Sequence, residues 1–257
     1  MTEENVIRVK SLSKSYTTEN GNTLHALEKV DLDVRANDFI CIVGPSGCGK
    51  STLLRIVCGL ERSSGGSVYY RETMLTGPNR EIGMVFQEYS LLPWRNVLDN
   101  VGLGLEFARA RSSERLHVAR SFLRLVGMEA FERAFPHELS GGMQQRVAIA
   151  RSLANNPDVL LMDEPFGALD AHTRILLQKE LLRIWERNRK TVLFVTHSVD
   201  EAIFLGDRVL VMSSRPGKIL EIMEVQMTRP RDRSSSSYGR MASKILDILE
   251  QEVGSTI

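Results

Sequence analysis

The sequence predicts an α/β fold with a mostly parallel sheet, and three observations predict it. DFICIVG, VLLMDEP, TVLFVTHS and DRVLVMSS are apolar runs of strand length, the pattern of strands buried on both faces. DAHTRILLQKELLRIWERNRK and VDEAIFLG separate the last three with helical periodicity, so strands and helices alternate. A glycine-rich turn, GPSGCGK, sits between the first buried strand and a helix, STLLRIVCGL.

The remaining elements follow in order. VIRVKSLSKSY alternates apolar and polar residues and reads as a strand. HALEKVDLDVRAND reads as a second, ending in a turn, and SSGGSVYYRETMLTGP as a small hairpin or edge strand. These form an antiparallel β subdomain beside the parallel core. REIGMVFQ is another buried strand. From residue 88 to about 155 the period is helical, which predicts a helical insert closed by the helix after Gly141; Asn156 and Pro157 stop it. Residues 1–228 are read as the core with this insert, and 229–257 as a tail. SSSS (234–237) separates the core from YGRMASKILDILEQEV, an amphipathic helix. Its Met241, Ile245, Leu246, Ile248 and Leu249 are expected to cap the chain's own core rather than a membrane.

Bulk properties exclude several classes. The chain has 257 residues, 42% hydrophobic and 25% charged, with a net charge of +1. That suits one soluble domain with a sizeable insert and lacks the basic excess of a nucleic-acid binder. The acidic start, MTEENVIRVK, is no signal peptide, and no uncharged apolar run reaches the ~18 residues of a membrane span. Three cysteines without a CxxC pair read as reduced thiols.

The chemistry lies at strand ends. Gly44, Pro45, Ser46, Gly47, Cys48, Gly49, Lys50 and Ser51 fit GxxxxGK[ST] without mismatch, followed by Thr52. Glycines let the backbone wrap an anion, and successive amides at a helix N-terminus face it. Lys50 adds a cation for the β- and γ-phosphates, and the Ser51 hydroxyl suits Mg²⁺. A helix N-terminus lowers a thiol pKa, which would suit Cys48 to redox switching; the plainer reading is a small residue at a tolerant position. Asp163 and Glu164 end an apolar strand. Neighbours on a strand face opposite ways, but at its end the second can turn toward the same crevice. Asp163 is then placed to hold Mg²⁺ and Glu164 to polarise water. Gln87 and His197 end two further strands. Ligands in open α/β sheets bind at such carboxyl ends, so these residues are expected to line one γ-phosphate site. The ELSGGMQQRVAIARS stretch adds a second glycine turn at a helix start, with Ser140, Gly141 and Gly142 suited to an anion.

Together these residues resemble the ATP-binding cassette (ABC) ATPases, which are RecA-like P-loop NTPases. Residues 44–52 look like the family's Walker A loop, Gln87 its Q-loop glutamine, and residues 139–143 its signature. Residues 159–164 look like Walker B, Ala168, Leu169 and Asp170 the D-loop, and His197 the switch histidine. Tyr16 is similar to the aromatic residue that stacks on adenine. Met143 departs from the Gln found in many members. The resemblance implies catalytic roles for Glu164, His197 and Gln87, and Mg²⁺ held by Ser51, Gln87 and Asp163. It also implies a head-to-tail dimer in which Ser140, Gly141 and Gly142 meet the ATP of a second copy. EYSLLPWRNVLDNV, FGALDAHTR and HSVDEAIFLGDRVLVMSSRPGKI are similar to the ATPase subunits of nitrate, sulfonate, taurine and bicarbonate importers. This implies a peripheral subunit on the cytoplasmic face of the inner membrane. An integral permease would contact it around residues 89–94, and a solute-binding protein would act indirectly. A soluble ABC ATPase, as in cluster assembly, is the alternative. A P-loop kinase fits the LSGG turn and the Asp163–Glu164 pair poorly.

Overall fold

The computed structural model describes residues 5–167 and 169–254. Ala168 of the expected D-loop and the first four residues of the acidic start lie outside the described residues. The chain divides into two compact units, residues 1–79 with 191–257, and residues 80–190.

The first unit holds both kinds of sheet. Strands β1 (Asn5–Thr17), β2 (Thr23–Arg35), β4 (Gly65–Tyr70) and β5 (Thr73–Met74) pair antiparallel in the order β2-β1-β4-β5. β3 (Phe39–Val43) runs parallel to both β8 (Thr191–Val195) and β9 (Arg208–Met212), and β10 (Ile219–Glu224) closes the edge antiparallel to β9. Every residue of β3, β8 and β9 is buried. That is why their sequences run apolar without alternation. Helix α1 (Lys50–Val57) follows β3, and α7 (Val199–Leu205) follows β8.

The tail forms helix α8 (Ser236–Gly254), packed on α7 and β9. The serine run, expected to separate core from tail, leads into the helix itself. Ser234 and Ser235 bond to Asp232, and Ser236 and Ser237 already belong to the helix. Tyr238 and Ile245 are the buried anchors, whereas Leu246 is 46% exposed and caps nothing. Arg231 precedes the helix and is buried, donating to Ile203 O at 2.7 Å and Phe204 O at 3.1 Å. Burial and the neighbouring Arg229 push its guanidinium down to about 10. Carbonyls at the end of a helix are suited to such a cation.

In the second unit β6 (Ile82–Val85) and β7 (Val159–Asp163) form a parallel pair. Between them lie α2 (Val97–Val101), α3 (Leu103–Phe107), α4 (Ser112–Leu125) and α5 (Gly141–Ala154). No strand falls within this stretch among the described residues, as the helical period predicts. α6 (Ala171–Arg187) follows β7. No helix among the described residues is long and apolar enough to cross a membrane.

Candidate functional site

The glycine loop, Gln87, the Asp163–Glu164 pair and His197 lie at strand ends, and within each unit the parallel register sets them at like ends. In the first unit Ile42 of β3 pairs with Val195 of β8. The glycine loop and His197 therefore leave neighbouring strands at the same end. Gly49 caps α1 with φ 106°, a left-handed geometry that favours glycine; a Cβ there would also lie 2.8 Å from Ala26 O. Lys50 is only 4% exposed, and its ammonium donates to Gly44 O at 2.8 Å and Pro45 O at 2.9 Å. His197 is exposed. Tyr16 on β1 is tied to this unit by its hydroxyl, which donates to Glu61 at 2.6 Å and lies 3.3 Å from the Thr52 hydroxyl. Burial and the Glu61 carboxylate raise its pKa. Lys14 lies 4.8 Å from its ring centroid.

In the second unit Val85 pairs with Met162, so Gln87 and the two acids leave β6 and β7 at one end. β6 stops two residues before Gln87, which stands exposed in a turn. Asp163 is the last residue of β7 and is buried. Glu164 has φ 45°. That conformation is uncommon for a non-glycine residue and costs on the order of 1–3 kcal/mol. The chain leaves the extended geometry of β7 at this residue. The Glu164 carbonyl accepts from Gly167 N at 3.1 Å.

The signature turn opens α5. Ser140 is its exposed N-cap and accepts from Met143 N at 3.4 Å. Gly141 packs against the Tyr89 hydroxyl; an added Cβ would come within 3.3 Å of it. From the other end of α5, Arg151 grips the segment after Gln87 by donating to Tyr89 O at 2.7 Å and to Ser90 O. Burial lowers its pKa. The Gln87 turn and the signature helix are thus one packed assembly. Neither residue spacing nor periodicity in the sequence points to Arg151 or to this grip. Leu169 is buried, and Asp170 caps α6 by accepting from Thr173 N at 3.0 Å. That bond lowers its pKa.

Cys41, Cys48 and Cys58 are all buried free thiols. Burial raises the pKa of Cys48 despite the nearby Lys50. This favours a plain small residue over a redox switch, but Cys48 is 1% exposed, so the position is packed rather than tolerant of side-chain identity. Thiol titration of the native protein is therefore expected to score no fast-reacting equivalent, and all three after unfolding in guanidinium. One rapid equivalent in the native fold would return Cys48 to redox chemistry.

Comparison with known proteins matches residues 27–167 to the ABC transporter family. The chain belongs to the ABC transporter family. An uncharacterized ABC transporter ATP-binding protein of Methanocaldococcus jannaschii is 52% identical over 96% of this chain and 92% of its own length. The taurine import ATP-binding protein TauB of Rhizobium johnstonii is 45% identical, covering 96% of this chain and 95% of its own. The aliphatic sulfonates import ATP-binding protein SsuB of Bacillus thuringiensis is 41% identical, covering 95% and 96%. A solved dimeric ATP-binding cassette, in a post-hydrolysis state bound to ADP and Pi, superposes with a TM-score of 0.77 at 35% identity, covering 86% of this chain and 100% of that one. The fold is the α/β P-loop NTPase fold, and this ABC-type chain is an ATP hydrolase.

Proposed function

We propose that this ABC ATPase powers uptake of a small anionic solute of the sulfonate, taurine, nitrate or bicarbonate type. Its near full-length likeness to the taurine and sulfonate import ATP-binding proteins carries this reading. It acts as a peripheral subunit on the cytoplasmic face of the membrane, with an integral permease doing the spanning and a solute-binding protein delivering the cargo.

Chemistry is divided among the residues described. The amides of residues 47–52 and the Lys50 ammonium hold the β- and γ-phosphates. Tyr16 offers its ring to the adenine. The Ser51 hydroxyl, the Asp163 carboxylate and the Gln87 amide oxygen are hard oxygen donors of the kind Mg²⁺ takes, and this mixed donor set fits that ion. Held by these residues, Mg²⁺ would supply positive charge against the phosphates. Glu164 accepts a proton from the attacking water, and His197 donates to the γ-phosphate. Ser140, Gly141 and Gly142 cap the γ-phosphate bound by a second copy, so ATP joins two chains head to tail. Hydrolysis removes that bond and opens the pair. The solved dimeric cassette supports the arrangement.

The second unit supplies a surface for the permease. A groove of about 680 Å³ is lined by Met84, Phe86, Leu105, Phe107, Arg151 and Asn155, among others. Phe107 is 80% exposed, and Trp94 nearby in sequence is 72% exposed. Phe107 at a groove of mixed apolar and polar lining suits a partner helix. Of the expected contact, residues 89–94, Ser90 lines this groove, and α3 adds Leu105 and Phe107, whose exposure the helical period did not reveal. Phe107→Glu is expected to cut recovery of the permease with the tagged chain at least about tenfold, as loss of an interface anchor does. ATP affinity of the isolated chain should not change. Undiminished recovery would remove the groove from the interface.

The importer reading is tested by pull-down from gently solubilised native membranes. A polytopic membrane protein in near-equal amount is the expected result. Recovery only with a soluble partner would leave the ATPase standing and remove the importer.

A further inference from the structure

The loop between β9 and β10 is built against the back of the phosphate loop. It is closed on itself: Ser213 N donates to Lys218 O at 2.9 Å, and the Ser213 hydroxyl donates to Pro216 O at 3.0 Å. From it Arg215 reaches Gly47, and its Nε and Nη2 both donate to Gly47 O at 3.1 and 3.0 Å. Gly217 lies closer still, and a Cβ there would stand 2.1 Å from Cys48 O and 2.9 Å from Met212 Cε. No side chain fits, so the backbone itself is the packing surface. Gly217 N donates to Ala26 O at 2.9 Å, and Glu28 N donates to Gly217 O at 3.1 Å, which fixes the loop to β2. The C-terminal helix completes the support. Glu252 on α8 accepts from Ser214 N at 3.1 Å.

The peptide plane gives this contact a consequence. Gly47 C=O and Cys48 N–H belong to one planar trans unit and point in opposite directions. Holding the carbonyl outward on a guanidinium turns the Cys48 amide inward. That amide donates to Pro45 O in a long bond of 3.4 Å, to the same oxygen that takes Lys50 Nζ at 2.9 Å, and a bound phosphate would take the amide over. A cation on the carbonyl also polarises the peptide and strengthens its N–H as a donor.

We propose that Arg215 is a positioning residue for the phosphate loop, seated by Gly217 and by Glu252 of the C-terminal helix. It touches no reacting atom; it holds the Gly47–Cys48 peptide in the orientation that presents an amide to nucleotide phosphate. This rests on the reading that residues 44–52 bind that phosphate.

The test compares ATP dissociation constants and steady-state turnover of the full chain with those of Arg215→Ala, Arg215→Lys and Lys50→Ala. Arg215 is exposed, so Arg215→Ala is expected to melt as the parent does without nucleotide. Its ATP dissociation constant and KM should rise about fivefold to twentyfold, the worth of a charge-assisted hydrogen bond, with kcat within about threefold. Arg215→Lys, keeping one donor, should recover part of the loss. Glu252→Gln, with a neutral acceptor for Ser214, should shift affinity in the same direction by less. Wild-type affinity in Arg215→Ala alongside lost affinity in Lys50→Ala overturns the positioning role alone. Retained affinity in Lys50→Ala overturns the phosphate-loop reading beneath it. A lowered melting temperature of Arg215→Ala without nucleotide, unrelieved by Lys, makes the contact one of folding and overturns the proposal as well.

Discussion

Glu164→Gln is expected to lower ATP turnover about 10²–10⁴-fold, the usual share of a general base. The amide is nearly isosteric with the carboxylate but accepts no proton at neutral pH. ATP binding should persist, because phosphate contacts come from the glycine loop and Lys50. With binding intact and hydrolysis blocked, the ATP-joined dimer should accumulate. Light scattering with excess ATP reads this directly as a doubling of mass. A variant that hydrolyses ATP within about tenfold of the parent would take the base role from Glu164. Monomer alone under excess ATP would count against the head-to-tail dimer. The left-handed φ of 45° sharpens the expectation. A residue held in so costly a conformation is commonly one whose side-chain direction matters. Glu164→Gly, which relieves the backbone, should be at least as inactive as Glu164→Gln and more stable than Glu164→Ala.

Lys50→Ala should raise the ATP dissociation constant about tenfold to hundredfold, the loss of one or two charge-assisted bonds. Turnover should fall below detection. Isothermal titration with ATP separates this from the Glu164 variant, which binds but does not turn over. The substitution also leaves Gly44 O and Pro45 O without the ammonium. Pro45 O keeps the Cys48 amide, whereas Gly44 O loses its ammonium donor, which costs about 1–3 kcal/mol where the carbonyl stays buried and less where water reaches it. The folded fraction should therefore be checked by circular dichroism before affinity is compared. Affinity within twofold of the parent, in a folded variant, would mean that the loop does not hold the phosphates.

Much of this was legible in the sequence because strand burial and loop chemistry are local properties. A strand buried on both faces must be apolar throughout, so β3, β7, β8 and β9 announced themselves. Alternation on β1 and β2 did the same for the antiparallel sheet. The tail was legible as an amphipathic helix, but its contacts were not. Hydrophobic spacing put Leu246 with Ile245, and the helix turns Ile245 to the core and Leu246 to water. The SSSS run reads as a low-complexity piece that separates core from tail. It is a helix start instead: the Ser235 hydroxyl accepts from Tyr238 N at 3.4 Å as the N-cap bond, and Asp232 holds Ser234 and Ser235 in the turn before it.

The sequence by itself determined the fold class, the places where strands end, the residue types waiting there (a glycine loop with Lys50, the Asp163–Glu164 pair, Gln87 and His197), and the Ser140 turn at a helix start. Those follow from chain connectivity and burial, which a one-dimensional pattern records. The tertiary structure decided what needs two distant segments or a measured dihedral. It gave Glu164 its left-handed backbone, placed Arg151 on the carbonyls of Tyr89 and Ser90, and opened a groove beside Phe107. It also set Arg215 on Gly47 across 168 positions of sequence. Such contacts depend on which surfaces the fold brings face to face, and no local spacing or periodicity encodes that.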